Sequence, residues 1–182
     1  MAESPTSGAG AVLRAFLLAG AGLGAILVAL VPGGPVPQSW AMPDLLYCLV
    51  VAWVVRRPET APFWLIFLLG LTADLMIGRP VGLGAILLVL AAEVFRSQRR
   101  TVLEGGAVAE WIAAGTVFAL ILGAQVLMLW ITFANLPALG ELLRYGIVTV
   151  AVYPIVVLVC HGLFRLRPHL PAARVVMPGG RS

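Results

Sequence analysis

Six long apolar runs alternate with short polar or proline-rich breaks along the chain. The runs are continuous and show no period-two alternation, which favours helices over strands. In lipid the backbone has to satisfy its own hydrogen bonds, so a span is either a helix or part of a closed barrel, and the turn signals of a barrel are absent. The runs cover about residues 15–31, 40–55, 61–77, 81–95, 108–133 and 142–164.

This pattern predicts an all-α integral membrane protein with six transmembrane helices. We expect a cytoplasmic N-terminal tail over residues 1–14, a six-helix membrane domain over 15–164 and a cytoplasmic C-terminal tail over 165–182. A cleaved signal peptide is the alternative for the first run, which is short and rich in alanine and glycine. No polar stretch is long enough to form a second domain.

Composition supports a membrane environment. Of 182 residues, 61% are hydrophobic and 11% charged, and the mean hydropathy is +1.03, whereas a soluble domain is about half apolar and about a quarter charged. The formal net charge of +4 reflects twelve arginines that stand in small groups between the apolar runs. Nucleic-acid binding is not expected, because it needs a basic face or stripe.

The arginines also predict the orientation, because cytoplasmic loops of membrane proteins are enriched in basic residues. With six spans and a cytoplasmic N-terminus, ten of the twelve arginines lie on the cytoplasmic side, and the outer side has only Arg79 and Arg144. Both chain ends are therefore expected to face the cytoplasm. All five tryptophans, including Trp53, lie near a predicted membrane boundary, where amphipathic rings are favoured.

Two aspartates fall inside the apolar runs, where an ionised carboxylate costs about 3 kcal/mol. Asp44 follows Pro43, which suits the start of a helix, so its charge is expected near the positive end of the helix dipole. A contact with a partner protein is the alternative for Asp44. For Asp74 we expect a partly buried ion pair with Arg79 that fixes the turn between the third and fourth spans. A partner contact and a ligand or proton site are the alternatives for Asp74.

Small residues at four-residue spacing predict faces where helices approach closely. Gly20 and Gly24 form such a pair in the first span, and the fifth span carries a longer series of Gly115, Ala119 and Gly123. Packing within the protein is the expected use of these faces. Docking of another protein's transmembrane helix is the alternative.

The remaining polar side chains do not suggest an active site. Tyr145, Thr149 and Tyr153 form a polar stripe on the sixth span, expected to hydrogen-bond to neighbouring helices or to line a small cavity. The two histidines stand apart from each other and from any carboxylate cluster. Since catalysis needs converging titratable groups, we expect no catalytic, cofactor-binding or metal-binding residues. Cys48 and Cys160 lie in apolar runs and are expected to remain free thiols.

Two segments carry patterns shared with a known family. In residues 42–58 a Pro-Asp pair precedes a leucine-rich run, and in residues 70–85 a Gly-Leu-x-x-Asp run precedes a glycine-rich turn. The matching residues are Pro43, Asp44, Gly70, Leu71, Asp74 and Gly82. Together with its length and number of spans, the chain resembles the MreD family of rod shape-determining membrane proteins.

The resemblance implies a non-enzymatic scaffold in the bacterial cytoplasmic membrane. MreD-like proteins bind the single-span protein MreC and join MreB, the RodA glycosyltransferase and a transpeptidase in the cell-elongation complex that directs lateral peptidoglycan synthesis and cell shape. The family is similar in fold to the substrate-binding subunits of energy-coupling-factor transporters. A vitamin-binding subunit of such a transporter, with a ligand cavity near the outer face, is therefore the alternative function.

Overall fold

The computed structural model describes residues 6–30, 42–78, 80–132 and 138–163. These residues form seven α-helices and one 3₁₀ turn, and no strand occurs among them, so the prediction of an all-α protein is confirmed. The helices are α1 (Thr6–Leu30), α2 (Leu45–Arg56), α3 (Phe63–Ile77), α4 (Leu83–Ser97), α5 (Arg99–Glu104), α6 (Gly106–Ile131) and α7 (Leu139–Leu163), and the 3₁₀ turn is Pro58–Thr60.

Three of these helices are long and apolar enough to cross a membrane, over Gly10–Leu30, Gly106–Ile131 and Leu139–Gly162. Their outward faces carry large apolar side chains, such as Leu120 and Ile147, that are more than two-thirds exposed. Apolar surface of this extent calls for a lipid environment. The chain is therefore consistent with a membrane protein.

Two helix bounds differ from the sequence expectation. Helix α1 begins at Thr6, so part of the segment assigned to an N-terminal tail is helical. The break between the predicted fourth and fifth runs contains the additional short helix α5. Both segments are too polar to be recognised as apolar runs. Their sequences are nevertheless compatible with helix, because hydropathy alone does not test whether a polar segment is helical.

Helix α2 lies at the centre of the bundle, against α1, α4 and α7. Every residue from 46 to 56 is buried. The helix has 12 residues, about 18 Å at 1.5 Å per residue, which is short of the ~30 Å hydrocarbon core. Because the other helices enclose it on all sides, α2 does not have to match the bilayer thickness.

The side chain of Trp53 lies in this core, which corrects its expected position at a membrane boundary. It is fully buried, and its indole Nε1 donates a hydrogen bond to Thr60 Oγ1 at 3.0 Å. The bond satisfies the one polar group that burial of tryptophan would otherwise leave without a partner. Trp64 and Trp130 are exposed, and Trp40 lies outside the described residues.

The six helices other than α5 alternate in direction, which gives the bundle two distinct ends. Asp44 and Asp74 line one cavity at the first end, which we call the Asp44 end. Arg56 and Glu110 meet at the other, which we call the Arg56 end. The 3₁₀ turn and α5 both lie at the Arg56 end, beside the C-terminus of α2.

Helices α3 and α4 lie close together at Gly70, where an added Cβ would lie 2.6 Å from Ala85 Cα. Only glycine permits this contact without a backbone shift. The turn between the two helices depends on glycine as well. Gly78 ends α3 at φ 74° and Gly82 begins α4 at φ 89°, in a left-handed region that residues with a Cβ rarely adopt.

On α1, the glycine that packs internally is not one of the predicted pair. A Cβ on Gly22 would lie 2.8 Å from Leu69 Cδ1 of α3. At Gly20 and Gly24 a Cβ would meet no described atom within 4 Å. Among the described residues nothing packs against the Gly20–Gly24 face, which is open there, so the use of this face stays a prediction.

On α6 only one of the three predicted small residues packs internally. A Cβ on Gly115 would lie 3.4 Å from Val150 Cγ1 of α7. Gly123 meets nothing within 4 Å in the described part of the chain, and both Ala119 and Gly123 are exposed. Within the described residues Gly115 thus has an internal neighbour, whereas the use of Ala119 and Gly123 stays a prediction.

We predict that Gly70→Ala lowers the free energy of unfolding by about 1–3 kcal/mol, because the new methyl group collides with the α4 backbone. Gly24→Ala is the matched control. It adds the same methyl group to open space and is expected to leave stability unchanged or raise it by up to about 1 kcal/mol through helix propensity. Reversible unfolding in mixed micelles measures both. Equal stability of the two variants would contradict the close α3–α4 contact.

Candidate functional site

Asp44 is the N-cap of α2, one position before the first helical residue. Its Oδ1 accepts the Tyr47 backbone N–H at 3.0 Å and its Oδ2 accepts the Tyr145 hydroxyl at 2.7 Å. Its own backbone N–H donates to Thr149 Oγ1 at 3.0 Å. A carboxylate at this position satisfies a helix N–H and lies at the positive end of the helix dipole. Asp44 therefore fixes the start of the central helix and joins it to α7.

The polar stripe on α7 contacts two neighbouring helices. Tyr145 and Thr149 reach Asp44, as described, and the Tyr153 hydroxyl donates to Glu110 Oε1 of α6 at 2.6 Å. Tyr145 also lines the cavity at the Asp44 end. The stripe thus has both of the roles that the sequence left open, since it hydrogen-bonds to neighbouring helices and lines a cavity.

Asp74 caps a helix other than its own. Its Oδ2 accepts the backbone N–H groups of Gly82 at 3.0 Å and Ala85 at 3.2 Å, at the start of α4. The N-cap of α4 is Gly82, which has no side chain, so the buried Asp74 carboxylate supplies the missing acceptor from α3. A Cβ on Gly84 would overlap this carboxylate. Arg79 lies outside the described residues, so the Asp74–Arg79 ion pair stays a prediction.

A cavity of about 120 Å³ lies between the two aspartates. Both segments that carry the MreD resemblance contribute to its wall, residues 42–47 from one and several residues between 70 and 84 from the other. Apolar side chains of α1, α4 and α6 complete the wall. Among the described residues, its polar lining consists of Asp44, Tyr47, Asp74, Gln125 and Tyr145.

A buried ion pair joins α2 to α6 at the Arg56 end. Arg56 Nη1 lies 2.8 Å from Glu110 Oε1 and Nη2 lies 3.2 Å from Oε2, a bidentate arrangement. Arg56 is 3% exposed and Glu110 7%, so neither charge can be compensated by water. With Tyr153 and the Ala52 carbonyl as further partners, the pair forms a three-helix polar network.

Sequence reasoning missed this network. It assigned Arg56 to a cytoplasmic boundary and gave Glu110 no role. The available signal was a lone glutamate inside the apolar fifth run, which needs a buried partner if the run is embedded in lipid.

Further arginines bind backbone carbonyls at the Arg56 end. Arg99 Nε donates to the Val55 carbonyl at 2.8 Å, and its Nη2 reaches the Arg56 carbonyl at 3.3 Å. Arg96 donates to the Ala61 carbonyl and pairs at 3.2 Å with Glu93, which lies three positions earlier on α4. Arg99 thus caps the C-terminus of α2, and Arg96 binds the loop that follows it.

The arrangement is suited to holding helices together and to presenting acceptors to a cavity. Among the described residues, no three histidine, cysteine, aspartate or glutamate side chains lie close enough to hold a metal ion. Cys48 and Cys160 are buried free thiols.

Comparison of the chain with known proteins gives no match: no family model, curated protein or solved structure is significantly similar to it.

We predict that Arg56→Met lowers the free energy of unfolding by about 3–5 kcal/mol, because it leaves the Glu110 charge buried without its partner. Replacing the whole network with Arg56→Met, Glu110→Leu and Tyr153→Phe is expected to restore most of that loss, since no buried polar group is then left unpaired. Reversible unfolding in mixed micelles measures each variant.

The exposed pair of Arg100 and Glu104, at 2.7 Å, is the control for this series. Arg100→Met removes a charge of the same type from a solvated position and is expected to cause no measurable change. If Arg56→Met were as harmless as Arg100→Met, the buried pair would not hold α2 to α6.

Proposed function

We propose that the protein is a non-enzymatic membrane scaffold of the MreD type. It binds a single-span, MreC-like partner within the bacterial cell-elongation complex and helps direct lateral peptidoglycan synthesis. The observation that carries this proposal is the meeting of the two MreD-like segments, 42–58 and 70–85, around one cavity, with Asp44 and Asp74 each capping a helix there. Two segments that are far apart in the sequence thus both cap helices at one cavity. This supports a resemblance to the MreD family that goes beyond apolar composition.

The proposed topology has six membrane spans, with both chain ends in the cytoplasm. The Arg56 end carries most of the described arginines and therefore faces the cytoplasm, since basic residues are retained on that side. They are Arg56, Arg57, Arg96, Arg99 and Arg100. Helices α2, α3 and α4 are shorter than a standard membrane span. The enclosure of α2 by its neighbours supports counting α2 as a membrane span despite its length. The location is the cytoplasmic membrane of a bacterium.

The partner's transmembrane helix packs on the open face of α1. Gly20 and Gly24 lie one turn apart there, and no described atom covers them within 4 Å. In lipid, helices associate through close backbone contact at such small residues. The face formed by Ala119 and Gly123 on α6 is the second option, and it is narrower because Gly115 already packs against Val150. The base of the partner's extracytoplasmic part then lies near Asp44 and Asp74. MreB, RodA and the transpeptidase join through this complex.

A small-molecule-binding subunit of an energy-coupling-factor-type transporter is the second candidate, favoured by the cavity at the Asp44 end. The volume of that cavity weighs against it. At about 120 Å³, it is well below the ~300–1,000 Å³ of typical ligand pockets, so a vitamin-sized molecule does not fit without expansion of the bundle. The scaffold function needs no such change.

The topology predicts opposite labelling of two engineered cysteines in a background where Cys48 and Cys160 are replaced by alanine. Val81→Cys lies in the exposed turn before α4, and Gln98→Cys in the exposed turn before α5. A membrane-impermeant thiol reagent applied to intact cells is expected to label the first and not the second. After permeabilisation both become reactive, which controls for accessibility. Labelling of Gln98→Cys in intact cells would show that the orientation is the opposite one. The proposed position of the partner would then be wrong.

Affinity purification in mild detergent tests the function, with recovery of an MreC-like single-span protein as the expected result. Gly20→Leu with Gly24→Leu is expected to reduce that recovery at least about tenfold, because the larger side chains separate the helices. The thermal stability of this variant should remain unchanged. Ala151→Leu, at an exposed position on α7, is the matched control and retains the partner.

Two outcomes of this purification oppose the proposal. Co-purification of a tightly bound vitamin in place of a partner protein would favour the transporter subunit. Undiminished partner recovery by the Gly20→Leu, Gly24→Leu variant would move the contact away from α1.

A further inference from the structure

Helix α7 contains a proline in its interior, Pro154. Because proline has no backbone N–H, the carbonyl four residues earlier, that of Val150, receives no hydrogen bond from position 154. The proline ring also crowds this carbonyl, so the helix bends more easily here than elsewhere. In lipid a carbonyl freed in this way has to be satisfied by a neighbouring helix. Pro154 therefore marks both a flexible point in α7 and a carbonyl that needs an outside donor.

Trp111 of α6 supplies this donor. Its indole Nε1 donates a hydrogen bond to the Val150 carbonyl at 2.8 Å. The indole N–H is the only polar group of tryptophan, and here it binds the carbonyl that the proline leaves free. Gly115, one turn further along α6, lets the two helices approach, since a Cβ there would lie 3.4 Å from Val150 Cγ1. The contact is thus specific in both its hydrogen bond and its packing.

The preceding residue of α6 holds α7 on the other side of the same turn. Tyr153 directly precedes the proline, and its hydroxyl donates to Glu110 Oε1 at 2.6 Å. Glu110 is 7% exposed and is also bound by Arg56, whereas Trp111 is 43% exposed. The Glu110 contact is therefore part of the core. The Trp111 contact can open through rotation of a partly exposed side chain, without unpacking of the bundle.

We propose that Pro154 is a hinge in α7 and that Trp111 is the latch that holds this hinge in the described conformation. The part of α7 before the hinge includes Tyr145 and Thr149, which bind Asp44 and stay with the Asp44 end. The part after the hinge, residues 155–163, changes direction when the latch opens. The device goes beyond the proposed scaffold function, which needs no moving part. It lets the last two turns of α7 move while the contacts at the Asp44 end stay in place.

The test measures distances between pairs of spin labels by pulsed electron paramagnetic resonance, in lipid nanodiscs and in the cysteine-free background described above. One pair, Gln98→Cys with Leu158→Cys, reports on the part of α7 after the hinge. The second pair, Val81→Cys with Ile147→Cys, reports on the part before it. All four positions are exposed.

Trp111→Phe keeps an aromatic ring but removes the indole N–H. It is expected to widen the distance distribution of the first pair at least about twofold, because α7 without its latch bends at the proline. The second pair is expected to keep its width. Trp130→Phe makes the same substitution at an exposed position of α6 and is the matched control, with no change expected in either pair. A first pair that stays narrow in Trp111→Phe overturns the proposal, and so does equal widening of both pairs.

Pro154→Ala separates the hydrogen bond from the bulk of the ring. Alanine restores the backbone N–H at this position, so Trp111→Phe combined with Pro154→Ala is expected to return the first pair to its original width. If the combined variant stays wide, the indole acts through its bulk and the latch is wrong.

The unfolding temperature gives an independent answer even if Trp111→Phe alone folds poorly. Trp111→Phe is expected to lower this temperature when Pro154 is present and to leave it unchanged in the Pro154→Ala background, where the Val150 carbonyl has a helical donor again. An equal loss in both backgrounds overturns the proposal. None of these measurements uses partner recovery, so the hinge and the scaffold function can fail separately.

Discussion

The structure depends on satisfying the two ends of α2, a short helix that is buried along its whole length. Any α-helix leaves about four N–H and four C=O groups without intrahelical partners. In an apolar surrounding each unsatisfied group costs several kcal/mol. Asp44 and Arg99 meet part of this demand from the two ends, through the Tyr47 N–H and the Val55 carbonyl. Charged residues of this chain thus serve as hydrogen-bond partners for backbone groups at helix ends.

The same constraint explains the other buried charges. Asp74 supplies the acceptor that glycine cannot supply at the start of α4, and Arg56 and Glu110 neutralise each other between α2 and α6. Each charged group in the interior thus joins two helices that are adjacent in space. This gives the bundle fixed polar contacts near both ends and an apolar surface between them.

Apart from the short helix α5 and the first residues of α1, the described helices could be predicted from the sequence, because the breaks between them are clusters of proline, glycine and arginine that hydropathy resolves well. The use of the small residues could not. Four-residue spacing shows which positions share a face, but the rotation of α1 decides whether Gly20 or Gly22 meets α3, and that rotation depends on the whole bundle. Trp53 was misplaced for a similar reason, since nearness to a predicted boundary does not tell whether a ring faces lipid or core.

Charge partners were hardest to predict where they are far apart in the sequence. Glu93 and Arg96 are neighbours on one helix turn, so their pairing follows from spacing, whereas Arg56 and Glu110 are 54 positions apart and meet only in the folded bundle. Asp74 shows the reverse difficulty. The nearby Arg79 was an obvious partner to expect, but the described acceptor role of Asp74 involves backbone N–H groups, which hydropathy and charge patterns do not display.

The capping roles of Asp44 and Asp74 affect how any functional role of their charge is identified. Removal of either side chain by alanine destabilises a helix start by about 1 kcal/mol, so loss of activity in an alanine variant does not separate a folding defect from a lost contact. Asparagine caps helices about as well as aspartate and differs mainly in charge. A role in partner or ligand contact therefore belongs to the charge only if the asparagine variant retains its fold and loses the contact. A purely structural role predicts that both survive.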